Sequence, residues 1–368
     1  MRSLTRTLGL LLLFLCIHPC SSRAAKVIDW QYTSVDDLNL FNKLVPTVRP
    51  FARFDLSMFE HLNYRERNQC LECSGLAVAF NTDSPAIGCK ASFSFNYQTP
   101  HTPNNAKQGF DLYVKKDGKW YWAGNAASKG ELGKETTYTI ATGLDEGMKE
   151  CIIYFPLGSI MTSFELSTVK GSSIERGQTP FKGRIAVFGS SFTQGAGSSR
   201  CAMTYSAQLS RMTGFNFINM GFSGQSKLQP YFAHALCKAE DIDAYLFDAL
   251  SNTSAGQISD RLFPFIEIFQ KEKPGVPLIF MKTIAQEKIV THKADERSIA
   301  MKMHVSDSLM KIAVKKYDNV YYIDCTNATG PYNECTTDGV HPDQHGYTLW
   351  AESIRKPVVK ILRKYGLK

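Results

Sequence analysis

The chain has 368 residues, 43% of them hydrophobic and 21% charged. That length exceeds one ordinary domain of about 100–200 residues, and the near-average composition excludes a disordered polymer, a collagen-like fibre and a polytopic membrane protein. The formal net charge is +8, but basic residues are interleaved with acidic ones and no basic block occurs, so nucleic acid is not an expected partner.

Arg2 and Arg6 precede an apolar run from Leu8 to Ile17, and Pro19, Ser21, Ser22, Ala24 and Ala25 follow. This order is that of a secretory signal peptide over residues 1–24, and the expected location is secreted or periplasmic. The run is short for a membrane span of about 20 residues, and nothing later approaches that length, so no span is expected in the mature chain. A retained signal anchor and a lipid anchor on Cys20 are the alternatives; Ile17-His18-Pro19 lacks the small residue expected ahead of a lipidated cysteine. Cleavage would remove Arg2, Arg6 and Arg23 with no acid, leaving a more mildly basic chain.

Beyond the export segment stand Cys70, Cys73, Cys89, Cys151, Cys201, Cys237, Cys325 and Cys335. An even set in an exported protein permits disulfides. Pairing cannot be read from sequence, although Cys325 and Cys335 bracket Gly330-Pro331 and would make a short clasp. Cys70-Leu-Glu-Cys73 has the spacing of a redox pair or half a zinc site, but no second CxxC or CxxH follows, so its expected role is structural.

Residues 25–178 read as short strands between turns: Gly75 to Phe80, Ala91 to Tyr97, Phe110 to Val114, Trp120 to Ala123, Thr136 to Ile140 and Cys151 to Phe155. No amphipathic helix is evident, and the pattern predicts an all-β sandwich. The segment from Lys170 to Pro180 reads as a linker. In residues 179–368, strand-like runs at Arg184 to Phe188, Phe215 to Met220, Ala244 to Phe247, Pro277 to Met281 and Val320 to Ile323 alternate with helical stretches. That alternation predicts a five-stranded parallel sheet with helices on both faces. A last helix starting near Gln344 carries the core spacing Tyr347, Trp350, Ile354, Val358 and Ile361.

In Ile185-Ala-Val-Phe-Gly189-Ser190-Ser191-Phe-Thr-Gln-Gly195, a buried strand runs into a serine pair at its carboxyl end, where open α/β sheets form their sites. A plain Ser-rich turn is the alternative. A phosphate loop is disfavoured because no Gly-Lys-Ser/Thr follows, and Gly195-Ala-Gly197 lacks a third glycine. Downstream, Thr337-Asp338-Gly-Val-His341-Pro342 supplies an imidazole and a carboxylate, the pair that activates a serine hydroxyl. Pro342 biases His341 away from helix, into a loop ahead of the last helix. A metal site on Asp338, His341 and His345 is the competing reading; it lacks the Glu of a zinc-protease motif. Two strand-end segments, Asn219-Met-Gly221-Phe-Ser-Gly224-Gln225 and Phe247-Asp248-Ala-Leu-Ser-Asn252-Thr253, could supply oxyanion donors.

With these four blocks in order, the chain resembles the SGNH (GDSL-type) hydrolases. The resemblance implies a flavodoxin-like three-layer fold with Ser191 as nucleophile, His341 as base and acid, and Asp338 as its orienting partner. The oxyanion hole would be Ser191 N–H, Gly224 N–H and the Asn252 amide. Two departures stand out: Ser190 replaces the usual Asp of Gly-Asp-Ser, and Leu250-Ser-Asn252-Thr253 lacks the usual Gly and Asp around the third-block Asn. Gly109-Phe-Asp-Leu-Tyr113, Trp120-Tyr-Trp122 and Tyr154-Phe-Pro-Leu157 further resemble the GxDLY-type, jelly-roll-like sandwich that precedes the catalytic domain in one SGNH subgroup, whose members include carbohydrate esterases and an acyltransferase. The implied activity is an exported serine esterase acting on a short acyl ester, acetyl foremost, of a carbohydrate or glycoside. An acyltransferase with the same triad, or a non-catalytic carbohydrate-binding protein, are the alternatives. This chemistry needs no metal and no organic cofactor. Trp120, Tyr121 and Trp122 could stack on sugar, though a sandwich core with one outward residue explains them as well. Asn252-Thr-Ser and Asn327-Ala-Thr fit the glycosylation pattern, and a glycan on Asn252 would block an oxyanion role.

Overall fold

The computed structural model describes residues 27–127, 131–325 and 328–368; the export segment expected over 1–24 and Asn327 lie outside them. The first half contains β1 (Trp30–Ser34), β2 (Asn39–Phe41), α1 (Tyr64–Leu71), β3 (Ala77–Thr82), β4 (Ala86–Asn96), α2 (Asn104–Lys107) and β5 (Gly109–Lys116). It continues through β6 (Lys119–Ala127), β7 (Thr136–Thr142), β8 (Lys149–Tyr154), β9 (Ser159–Val169) and β10 (Ile174–Arg176). These strands form two antiparallel sheets, one ordered β1-β9-β4-β7, the other β10-β3-β8-β5-β6 with β2 paired to β3. Between them lies a core that includes Phe80, Phe93, Phe110, Leu112, Tyr138, Ile153, Phe155 and Phe164.

Ala77, Ala79, Tyr113, Ile152 and Tyr154 alternate with those core residues and face the other way, against Phe181, Cys201 and Ala202 of the second half. Since successive strand residues point to opposite faces, a sheet covered on both sides carries no polar alternation. That explains the unbroken apolar runs of β3 and β8.

The second half contains β11 (Lys182–Gly189), α3 (Ser191–Gln194), α4 (Tyr205–Thr213), β12 (Phe215–Gly221), α5 (Pro230–Cys237), β13 (Ala244–Asp248) and α6 (Ala255–Glu272). Then follow β14 (Leu278–Met281), α7 (Lys293–Lys316), β15 (Val320–Ile323) and α8 (Gln344–Lys364). The sheet is parallel throughout, in the order β12-β11-β13-β14-β15. With α5, α6 and α7 on one face and α4 and α8 on the other, the fold is the expected flavodoxin-like three-layer α/β arrangement. The five predicted core positions of α8 are all buried.

Two expectations for the first half need correction. It holds the helix α1 and the single turn α2, and the Lys170 to Pro180 segment is not wholly a linker, because β10 within it extends the sheet by pairing with β3. Helix α1 escapes a periodicity search because it buries Glu66, Gln69 and Cys70 rather than an apolar stripe. Its sequence signal is the capping box, with Asn63 and Glu66 each accepting the other's backbone N–H. The surrounding segment packs onto the parallel sheet: Leu44, Val45, Phe54, Phe59 and Cys70 join the core built by Ile218, Met220 and Phe222. Among the described residues all eight cysteines are buried free thiols, Cys325 and Cys335 included, and no helix is long and apolar enough to cross a membrane.

Candidate active site

The register of the parallel sheet sets Gly189, at the end of β11, beside Gly221 of β12 and Asp248 of β13. Three carboxyl ends thus meet at one level, at the topological switch point where such sheets bind ligands. The turn after β11 is tight: a Cβ on Gly221 would come within 2.0 Å of Gln194 N. Ser190 caps α3, its Oγ accepting from Phe192 N at 3.1 Å. Ser191 is therefore the first helical residue, where no preceding turn offers its N–H a carbonyl.

The departure at Ser190 has a structural answer. Asp248 Oδ2 accepts from Ser190 N at 3.1 Å, from Ser190 Oγ at 2.6 Å and from Thr193 Oγ1 at 3.2 Å, while Ser251 Oγ donates to Oδ1. A carboxylate braces the Ser190-Ser191 turn, but from the neighbouring strand. Burial raises its acid above the usual range, and the hydrogen bonds from Ser190 and Ser251 oppose that shift.

Ser191 Oγ lies 3.0 Å from His341 Nε2, and His341 Nδ1 lies 2.8 Å from Asp338 Oδ2. Asp338 Oδ1 accepts from the backbone N–H of Val340 at 3.0 Å and of His341 at 2.8 Å. Burial pushes the Asp338 carboxyl up, but those N–H groups and the imidazole outweigh it and hold the acid below its ordinary value. The three residues form a continuous line, and His341 stands in the loop ahead of α8, which starts after its cap Asp343. Both ring nitrogens of His341 are engaged, which leaves neither for a metal. His345 is exposed on α8, and no metal-ligating cluster occurs among the described residues.

Gly224 has φ +71°, the left-handed region that favours glycine, with open space where a Cβ would stand. Asn252 is half-buried and its Nδ2 lies 3.4 Å from Phe222 O, so its amide borders the loop that carries Gly224.

Several residues around this line carry no motif. Arg53, 1% exposed, donates to Gly221 O at 2.7 Å, and Gln69 Nε2 donates to Ser223 O at 2.9 Å. Gln194 donates to Glu72 Oε2 at 2.6 Å and accepts from Ser223 N at 2.9 Å. The first half thus grips the loop beside Gly224 from several directions. Asp111 of the Gly109 to Tyr113 motif is wholly buried and accepts from Arg200 at 3.0 Å and from Ala202 N at 2.9 Å, latching the sandwich to the second half. Of the aromatic trio, Trp120 packs on Phe181, whereas Tyr121 and Trp122 are each 52% exposed. Trp122 carries Arg200 over its ring and donates to Asp111.

Fold and site together define a serine hydrolase of the SGNH type. The GDSL-like lipase/acylhydrolase family profile matches residues 182–360, and the GxDLY profile, the N-terminus of SGNH-type esterases, matches residues 29–174. No curated protein matches the sequence. Among solved structures, a protein described as a GDSL-like lipase from Bacteroides ovatus is 31% identical, with a TM-score of 0.86 over 91% of this chain and 98% of that one. A salicylyl-acyltransferase from a tetracycline biosynthetic pathway shares the fold at 19% identity, TM-score 0.70, over 92% of this chain and 98% of that one. A family two carbohydrate esterase from Cellvibrio japonicus does so at 9% identity, TM-score 0.56, over 92% and 98%. The chain belongs to the GDSL-like lipase/acylhydrolase family and is an esterase.

Proposed function

We propose that this esterase is exported by residues 1–24 and removes a short acyl group, acetyl foremost, from a carbohydrate or glycoside. In this reading residues 25–178 form the sandwich domain and 179–368 the catalytic domain. Ser191 Oγ attacks the ester carbonyl as its proton passes to His341 Nε2, and Asp338 stabilises the imidazolium. The N–H groups of Ser191 and Gly224 and the Asn252 amide receive the oxyanion. Collapse expels the alcohol, which takes the proton from His341. Water then attacks the acyl-Ser191 carbonyl, giving its proton to His341, and release of the carboxylic acid returns that proton to Ser191.

The observation that carries this reading is the unbroken line Ser191, His341, Asp338 at 3.0 and 2.8 Å. The carbohydrate part is supported by the likeness of the whole two-part architecture to a carbohydrate esterase. The test is acetate release from acetylated polysaccharides, together with p-nitrophenyl acetate turnover and fluorophosphonate labelling. Ser191→Ala is expected to lose at least about a thousandfold in kcat and all labelling while its melting temperature holds. Retained turnover would remove the assignment. Acyl transfer to a sugar acceptor in preference to water would mark an acyltransferase, and sugar binding without labelling of Ser191 would mark a binding protein.

A further inference from the structure

The sandwich places a second histidine on the triad. His101 stacks on His341, ring centroids 5.8 Å apart and planes 20° from parallel, and its Nδ1 lies 3.4 Å from Asp338 Oδ2. Phe192 meets the same His341 ring edge-on at 5.7 Å. The histidine of the line is thus bounded by one aromatic from its own half and one from the sandwich.

The presentation of His101 is built into its segment, Thr99-Pro100-His101-Thr102-Pro103. Pro100 fixes its own φ, and Pro103 disfavours helical backbone at Thr102, so the loop has fewer conformations to lose. Thr102 is buried, and its Oγ1 accepts from Gly197 N at 3.0 Å. Gly197 lies against the histidine loop, since a Cβ there would stand 2.5 Å from Pro342 O and 3.3 Å from His341 O. The support of His101 and the support of His341 therefore meet at one residue.

We propose that His101 is a positioning residue for His341: its ring is the wall that keeps the imidazole aligned with Ser191 during proton transfer. The inference rests on the triad reading above. His341 stands in a loop, and proton transfer requires its Nε2 to stay near 3 Å from the serine hydroxyl, so freedom to swing lowers the reactive fraction. His101 is 40% exposed in its side chain and its Nδ1 faces Asp338 Oδ2 at 3.4 Å, so His101→Phe keeps the ring against His341 while removing the contact to the carboxylate, and the two variants separate the wall from that contact.

The experiment compares His101→Ala and His101→Phe with wild type in p-nitrophenyl acetate kinetics and in the rate of fluorophosphonate labelling. His101→Ala is expected to lower kcat and the labelling rate about tenfold with KM within about twofold, and His101→Phe, which keeps a ring, to stay within about threefold of wild type. Three outcomes would overturn the proposal: wild-type rates in His101→Ala, a loss confined to KM, or His101→Phe as slow as His101→Ala. If wild type is itself unlabelled, the triad reading fails and this inference with it. Labelling of wild type and His101→Ala at one rate sinks the positioning role alone.

Discussion

Glu72 shows how far a single buried carboxyl departs from its free chemistry. Burial pushes its acid up to about 7, against the pull of the Arg53 guanidinium and the Gln194 amide. An acid whose folded value lies above the unfolded one, about 4.3 for Glu, binds its proton more tightly when folded. Stability therefore falls as pH rises from about 4.3 to 7 and levels off above. Glu72→Gln keeps an acceptor toward Gln194 and removes the titration. Thermal melts from pH 5 to 8 should show the variant matching wild type at the acid end and melting a few °C higher at pH 8, with a flatter profile. A lower melting temperature at pH 8 would mean that the attraction of the Arg53 guanidinium outweighs burial. At this scale the sequence was legible where chemistry is local: Asp338 and His341 share one turn, and Ser191 follows on the carboxyl end of a buried strand. It was illegible where a partner lies far off in the chain, as with Asp248 for Ser190, Glu72 for Gln194 and His101 for His341. No spacing encodes those contacts, which only the folded topology creates.

Among the elements, those that bury an apolar face were readable, whereas α1, which braces the loop beside the site, was not. The five parallel strands and α8 fall close to their predicted spans because each buries an apolar face. Helix α1 buries polar side chains, and its function explains why: it faces loop backbone, not a greasy surface. Gln69 donates to Ser223 O at 2.9 Å, while Asn63 Nδ2 donates to Gln225 Oε1 at 2.9 Å, so α1 and its cap hold the two residues flanking Gly224. The Gln69 Oε1 is buried without a partner among the described residues, so Gln69→Leu gives up one hydrogen bond and relieves one unsatisfied acceptor. Its melting temperature should move little. With the loop released, the Gly224 N–H proposed above to receive the oxyanion loses its alignment, and kcat should fall about tenfold with KM nearly constant. Steady-state kinetics on p-nitrophenyl acetate decide it; an unchanged kcat would show that the loop holds its shape without α1.

For the molecule as a whole, the chain order of the two halves hides how they share a core. The segment that carries Leu44, Val45, Phe54 and Phe59 precedes β3 in sequence yet packs with Ile218, Met220 and Phe222 on the parallel sheet. Full burial of side chains of this kind is worth about 1.5–3 kcal/mol each, so four of them approach the whole net stability of about 5–15 kcal/mol of an ordinary domain. The Arg53 contact to Gly221 O and the Asp111 contact to Ala202 N add polar ties across the same boundary. Residues 179–368 expressed alone should therefore expose an apolar face at the very loop that carries Gly224. The expected product binds a hydrophobic dye, aggregates and lacks a cooperative melt, whereas a chain from residue 27 onward melts in one transition. A fragment covering residues 179–368 that is monodisperse, melts cooperatively and is labelled by a fluorophosphonate would show that the second half folds and assembles its site without the first. The opposite result follows from the packing, because the core of the catalytic half is completed by side chains from the other end of the chain.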